Sequence, residues 1–189
     1  MREQHRKDIK QEFLETTFDY LVRHGLENTS VRDLCKKMNI SYGSIYYWFD
    51  GKDDIYINAT KYGIGKVADA LFNFAAENMH DLEFFCNSFL DEVDKYKKEF
   101  RLILQVTSSP VYGDRMRQKA EDFNPVYEKY TQNMTGIFNV ELEDMLPVIY
   151  MLISILMDYV VWEDRKSSQM QLNFLYKTIS KTLMQKNIN

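Results

Sequence analysis

The run Thr29-Ser30-Val31-Arg32-Asp33-Leu34-Cys35-Lys36-Lys37-Met38-Asn39-Ile40-Ser41-Tyr42-Gly43-Ser44-Ile45-Tyr46-Tyr47-Trp48-Phe49, with Lys52 just beyond it, decides the fold. It reads as two short helices joined by a tight turn. Ser30 can accept a hydrogen bond from an orphan backbone N–H, and Asp33 three residues on can reciprocate as a capping box. Val31, Leu34, Cys35 and Met38 recur at helical spacing, so one face is apolar while Arg32, Lys36 and Lys37 point outward. Asn39 tolerates the left-handed backbone that a tight inter-helix turn requires, and Ile40 fills the angle between the helices. Ser41 can cap a second helix, expected from Tyr42 to Trp48. Ile45 and Phe49 face the core. That leaves Tyr42, Gly43, Ser44, Tyr46 and Tyr47 on or near the exposed N-terminal end.

A helix-turn-helix offers that end of its second helix to the major groove of DNA. The aromatic run has a plainer reading too, as a corner that holds three helices together, and Trp48 and Phe49 are assigned to it. Tyr46 and Tyr47, adjacent on a helix, point roughly 100° apart, so at most one is core and the other faces out. Lys36 and Lys37 read as a solvated face, whereas Lys52 stands at a short fixed distance after the second helix.

The segments Thr29 to Leu34, Ile40 to Tyr46 and Phe49 to Lys52 resemble the N-terminal signature of the tetracycline-repressor (TetR) family. Phe13, Thr16, Thr17, Leu21 and Gly25 match that family's first helix and the turn after it. The resemblance covers roughly residues 9–60, about the first third of the chain. Departures are Cys35, Asn39 and Trp48, all at packing or turn positions. The resemblance implies that Thr29, Tyr46, Tyr47 and Lys52 touch phosphates while Tyr42, Gly43 and Ser44 approach base edges; the capping residues Ser30 and Ser41 complete the DNA-binding set. Hydroxyls, an ammonium and a helix N-terminus suit phosphate oxygens, and such contacts position a protein without reading sequence. Gly43 lets the backbone come close. With no arginine among the side chains assigned to bases, readout is expected to lean on apolar contacts and DNA shape.

Net charge is −4, but the acidity is uneven: residues 1–66 carry 11 Lys and Arg against 10 Asp and Glu, and residues 67–189 carry 13 against 18. A near-neutral reader must rely on local placement of Arg2, Arg6, Lys7, Lys10 and Lys52, and the N-terminus is either a basic arm on the DNA backbone or plain disorder. With 45% hydrophobic and 14% aromatic residues the 189-residue chain can bury a genuine core, and 7 Gly with 3 Pro favour helix. Cys35 and Cys86 fall on apolar helical faces far apart, and no secretory signal is evident, so a reduced, cytoplasmic protein is expected. The charge-free stretch Met145 to Met157 reaches only about 20 Å as a helix, short of the ~30 Å hydrocarbon core, and is expected to be a buried helix with no membrane partner.

Downstream the apolar spacing is helical almost throughout, which predicts an all-α fold of about nine helices. Residues 1–52 form the three-helix DNA-binding domain and 53–189 a helical ligand-binding and dimerisation domain, linked by a helix from about 51 to 78. Gly63 and Gly65, mid-helix, read as a hinge or as sites of close packing. Further helices are expected from His80 or Asp81 to Lys98, from Phe100 to Ser108, and from about Asp114 to Gly136 with an interruption at Asn124-Pro125.

From Leu142 to Trp162 the chain is apolar nearly all round, and a helix greasy on every side needs two partners. One is its own domain; the other is a second copy. Ile149, Ile153, Leu156, Val160, Phe174 and Ile179 are the expected interface, forming a twofold four-helix contact and a homodimer whose two readers meet a palindromic operator. The middle helices are rich in aromatics and methionine. The resemblance implies a small-molecule effector site there, for which Phe85, Phe89, Tyr96, Phe100, Met116, Phe123, Tyr127 and Tyr130 are candidates, since bulky adaptable side chains line apolar cavities. The same stripe also serves as plain core. The overall expectation is a repressor released from its operator by a small, largely apolar ligand; the alternative is a DNA-bound regulator that docks another protein and takes no ligand.

An enzyme would need a nucleophile and base, a metal cluster or a phosphate loop. His5, His24 and His80 are dispersed, and neither zinc-type spacing nor a glycine-rich motif is present. No catalytic residue, metal or cofactor is expected.

Overall fold

A computed structural model describes residues 2–78, 80–118, 130–133, 135–136 and 141–186. All regular structure among them is helical. The helices are α1 (Arg2–His24), α2 (Val31–Lys37), α3 (Tyr42–Ile45), α4 (Gly51–Asn78), α5 (Leu82–Lys95), α6 (Lys97–Ser108), α7 (Tyr112–Gln118), α8 (Leu142–Trp162) and α9 (Arg165–Lys186), and 130–133 and 135–136 are helical as well. The all-α expectation holds. Packing divides the chain into two compact units, Met1–Val67 with Arg101–Ala120 and Ala68–Phe100 with Glu121–Asn189.

In the first unit α1 ends where Gly25 turns left-handed at φ 77°, a conformation that costs glycine little. Phe13, Phe18 and Leu21 of α1, Leu34 of α2, Ile45 of α3 and Ile55 of α4 form the core, each at most 1% exposed. Tyr56 is fully buried and donates its hydroxyl to the Thr29 carbonyl at 2.6 Å, tying α4 to the start of α2. Burial holds that hydroxyl well above the ordinary tyrosine range. Gly63 serves close packing, because a Cβ there would overlap the Phe18 ring; at Gly65 a Cβ would meet nothing. Residues 2–7 continue α1 as helix, where the sequence suggested an arm or disorder.

In the second unit α5 buries Phe85, Cys86, Phe89, Leu90, Glu92 and Val93, and α9 packs against both α5 and α8. Asp81 caps α5 by accepting from the Phe84 N–H at 2.9 Å. The Tyr159 hydroxyl donates to Asp94 at 2.8 Å. Arg165 pairs with Asp91 and, at 3.1 Å, with Asp94. Lys97 reaches Asp94 at 3.6 Å and Glu163 at 3.5 Å. Both cysteines are buried thiols, and burial pushes Cys86 up to about 11.

Three expectations change. The second helix of the motif stops at Ile45 instead of Trp48, because Tyr47 N–H bonds to Ser44 O at 3.3 Å and Trp48 N–H to Ile45 O at 2.9 Å, the three-residue spacing that tightens a last turn. The apolar helix runs the 21 residues Leu142–Trp162 through Pro147 and Asp158, and it is long and apolar enough to cross a membrane by length and composition. Nor is it a buried helix: only 28% of its most apolar stretch is buried. Tyr150, Val161 and Trp162 are 58%, 55% and 74% exposed. The interruption expected at Asn124-Pro125 lies outside the described residues.

Candidate nucleic-acid interface

Each helix of the motif begins with the serine that the sequence assigned to it. Ser30 Oγ accepts from the Asp33 N–H at 3.1 Å. Its hydroxyl donates to the Asp33 carboxylate at 2.6 Å, so the reciprocal bond is made to the side chain and not to the backbone. Ser41 Oγ accepts from the Ser44 N–H at 3.2 Å, and the two serine hydroxyls lie 2.5 Å apart. Asn39 takes up the left-handed turn at φ 54°. Thr29 is turned inward: it is buried, and its hydroxyl donates to the Gly25 carbonyl at 2.7 Å, satisfying the end of α1. Its phosphate role was inferred from a resemblance; its surroundings give the hydroxyl a capping task.

Ile45 and Phe49 anchor the recognition helix in the core, and everything around them faces out. Tyr42, Tyr46 and Tyr47 are 42%, 47% and 76% exposed, Gly43 and Ser44 are exposed, and Trp48 is half-buried. Neither Tyr46 nor Tyr47 joins the core, since the four-residue helix ends at Ile45, before either of them. Tyr42 and Tyr46 form a pair, with hydroxyls 2.6 Å apart and rings edge-on at 5.2 Å. That hydrogen bond raises Tyr46 above the ordinary tyrosine value.

Five cations of the first unit lie over aromatic rings, two of them over exposed tyrosines of this surface. Arg6 lies 5.9 Å from the Tyr47 ring centroid, Lys10 5.0 Å from Phe49, Arg32 5.7 Å from Tyr42, Lys37 5.3 Å from Tyr20 and Lys52 5.0 Å from Tyr56. Stacking on a ring holds a cation in place without cancelling its charge. Arg32 is the cation beside this surface that reading along the sequence did not single out. Its outward position on α2 was evident, but its approach to Tyr42 depends on how α2 and α3 cross, which spacing within one helix does not reveal.

The other candidate sets fall as follows. Phe85 and Phe89 are buried with tilted rings 5.5 Å apart, and the Phe74 ring lies 5.6 Å from Phe85. Phe100 is buried, and Tyr96 is half-buried at the end of α5. The Tyr130 hydroxyl donates to Asp69 at 2.6 Å, and its ring lies 5.4 Å from Phe72. Met116 is buried in the first unit. Phe123 and Tyr127 lie outside the described residues. Among the interface candidates, Leu156 and Val160 are buried within their own chain, Ile149, Ile153 and Ile179 are half-buried, and Phe174 is 65% exposed. Among the described residues no group of three or more metal-ligating side chains occurs.

Residues 13–59 match the family model described as bacterial regulatory proteins, tetR family. No curated protein matches the chain. Among solved structures the chain is similar to a TetR family transcription regulator from Marinobacter aquaeolei VT8, at TM-score 0.51 and 18% identity, over 94% of this chain and 97% of that one. It is also similar to a TetR transcription regulator from Haloarcula marismortui ATCC 43049, at TM-score 0.52 and 19% identity, over 93% and 96% of the two chains. Residues 13–59 are thus similar to the N-terminal segment of tetR-family regulators, and the chain shares the fold of the two solved TetR transcription regulators.

Proposed function

We propose that this protein is a homodimeric, DNA-binding repressor whose hold on a palindromic operator is released by a small, largely apolar ligand. The observation that carries the DNA-binding part is the recognition helix: Ile45 fixes it to the core while Tyr42, Gly43, Ser44, Tyr46 and Tyr47 stand exposed, with Arg32 over Tyr42 and Arg6 over Tyr47. In this reading the reader is residues 1–52, and residues 53–189 bind ligand and dimerise. Ser41, Tyr46, Tyr47 and Lys52 meet phosphates, and Ser30 meets them through the N-terminus of α2. Tyr42, Gly43 and Ser44 approach bases, joined by Arg32, which supplies the guanine grip otherwise missing. Thr29 contributes through the end of α1 that it caps.

Dimerisation is supported by what α8 and α9 leave uncovered. Met151, Met157, Val161, Trp162, Met170 and Phe174 are all at least 42% exposed, and a cluster of that kind favours an apolar partner surface. A second copy supplies it and sets two recognition helices about 34 Å apart or at a multiple of that. The effector site is placed in the second unit, where Phe74, Phe85 and Phe89 form a contiguous run of tilted aromatic rings. A ligand that lowers operator affinity 100-fold must favour the released conformation by about 2.7 kcal/mol, whatever its absolute affinity.

The test is retention of DNA from immediately upstream of the protein's own gene, against shuffled DNA of equal composition, across a salt series. Selective binding that weakens with salt is the expected result and supplies the operator for ligand screening. Absence of any DNA binding overturns the reading. A ligand that binds tightly and leaves operator affinity unchanged overturns the release scheme alone.

A further inference from the structure

We infer that the DNA-binding surface extends beyond the helix-turn-helix onto the first turns of α1, where Arg6 and Tyr47 form a phosphate clasp beside the recognition helix. A cleft of about 440 Å³ opens there, lined by Arg6 and Ile9 of α1, by Asn39 and Ile40 of the inter-helix turn, and by Ser41, Ser44, Tyr47 and Trp48 around α3. Ile9, Ile40 and Trp48 make part of its lining apolar. Ser41, Ser44 and Tyr47 add hydroxyl-bearing side chains and Arg6 a guanidinium. This inference rests on the DNA-binding reading and deepens it, joining Arg6 of α1 to the Tyr47 phosphate contact in one site.

Three observations select the DNA backbone as the occupant. First, Arg6 is exposed and, among the described residues, makes no ion pair, so its charge is uncommitted. Second, its guanidinium lies 5.9 Å from the Tyr47 ring centroid, which restricts the side chain without neutralising it. A phosphate then meets an arginine whose ordering is partly done, and the flat guanidinium can offer two parallel N–H donors to it. Third, Ser41 and Ser44 share one bond between their hydroxyls, so only one of the two protons is used there and the other is left for an acceptor at the rim. Cation, hydroxyl donors and a 76%-exposed ring converge beside a helix that itself faces DNA.

The experiment measures the affinity of the full chain for its upstream duplex and for a shuffled duplex across a salt series. It compares wild type, Arg6→Gln and Arg6→Lys, with melting temperatures showing that all three fold alike. Arg6→Gln is expected to weaken both duplexes about 5–10-fold at physiological salt and to lower the salt slope by about 0.9, the value of one lost phosphate contact. Arg6→Lys is expected to keep the slope while losing part of the affinity, since the charge remains but the planar fork does not. A glutamine variant with wild-type affinity and slope overturns the clasp and leaves the DNA-binding reading intact. A variant that weakens only the specific duplex, with an unchanged slope, also overturns it, because that is the signature of a base contact. A wild-type chain that binds neither duplex overturns the clasp together with the reading beneath it.

Discussion

The helix-turn-helix and the second compact unit use their cations in opposite ways. Around the reader, Arg6, Lys10, Arg32, Lys37 and Lys52 each lie over an aromatic ring and, among the described residues, none is ion-paired. In the second unit Lys95 pairs with Glu92, Arg165 with Asp91 and Asp94, and Lys97 with Asp94 and Glu163, although Lys97 also lies over Tyr159. A carboxylate partner cancels the charge it holds; a ring leaves the charge available. On the proposed function, this is how a domain with barely more basic than acidic residues would meet phosphates. What the second unit exposes is apolar surface on α8 and α9, which suits a partner protein and not a polyanion.

If that division is right, the largest effect follows from charging the apolar face. Phe174→Glu combined with Met170→Glu is expected to convert a dimer wholly to monomer at micromolar concentration, as read by sedimentation equilibrium. A dimer that survives both changes would break the assignment of this face. Next comes neutralising cations at the reader. Arg32→Gln with Lys52→Gln is expected to weaken operator binding about 100-fold in fluorescence titrations, a phosphate contact and a base contact of about 1.4 kcal/mol each. The matching change in the second unit, Arg165→Gln, is expected to leave DNA affinity untouched and to lower stability by no more than about 1 kcal/mol, a fall in Tm of about 2–4 °C. Loss of DNA affinity with Arg165→Gln would erase the contrast between the two regions.

The smallest effect concerns the start of α9. Asp164 accepts from the Ser167 hydroxyl at 2.5 Å and from its backbone N–H at 3.0 Å, and these bonds hold its carboxyl below the ordinary carboxylate range. A depressed folded value means that the stabilisation is present above the unfolded value and lost as pH falls through the folded one. Urea melts should therefore separate wild type from Asp164→Ala at pH 7 and bring them together near pH 2. A constant gap across that range would mean that the side chain acts without its charge.

The reader was legible because its signals are local. Ser30 and Ser41 announce helix starts by the chemistry of their own hydroxyls, Asn39 announces a left-handed turn, and the spacing of Val31, Leu34, Cys35 and Ile45 places one apolar face; none of these needs knowledge of another element. α8 was misjudged for the converse reason. Its composition is apolar all round, and composition alone does not tell a helix covered by its own chain from one that leaves Tyr150, Val161 and Trp162 in the open. The effector candidates were legible as a stripe of aromatics and divided only by packing, which buried Phe85, Phe89, Phe100 and Met116.

The sequence by itself determined an all-helical chain, the caps and turn of the helix-turn-helix, and the apolar faces that close its core, because capping bonds and helical periodicity act within a few residues. Tertiary structure alone decided that Thr29 turns inward, that both Tyr46 and Tyr47 stay outside, that Gly63 receives the Phe18 ring, and that Arg6 and Arg32 come to rest over tyrosines. Each of these depends on the angle at which two helices cross, and a crossing angle is set by the interlocking of two surfaces that the order of residues along one helix does not contain.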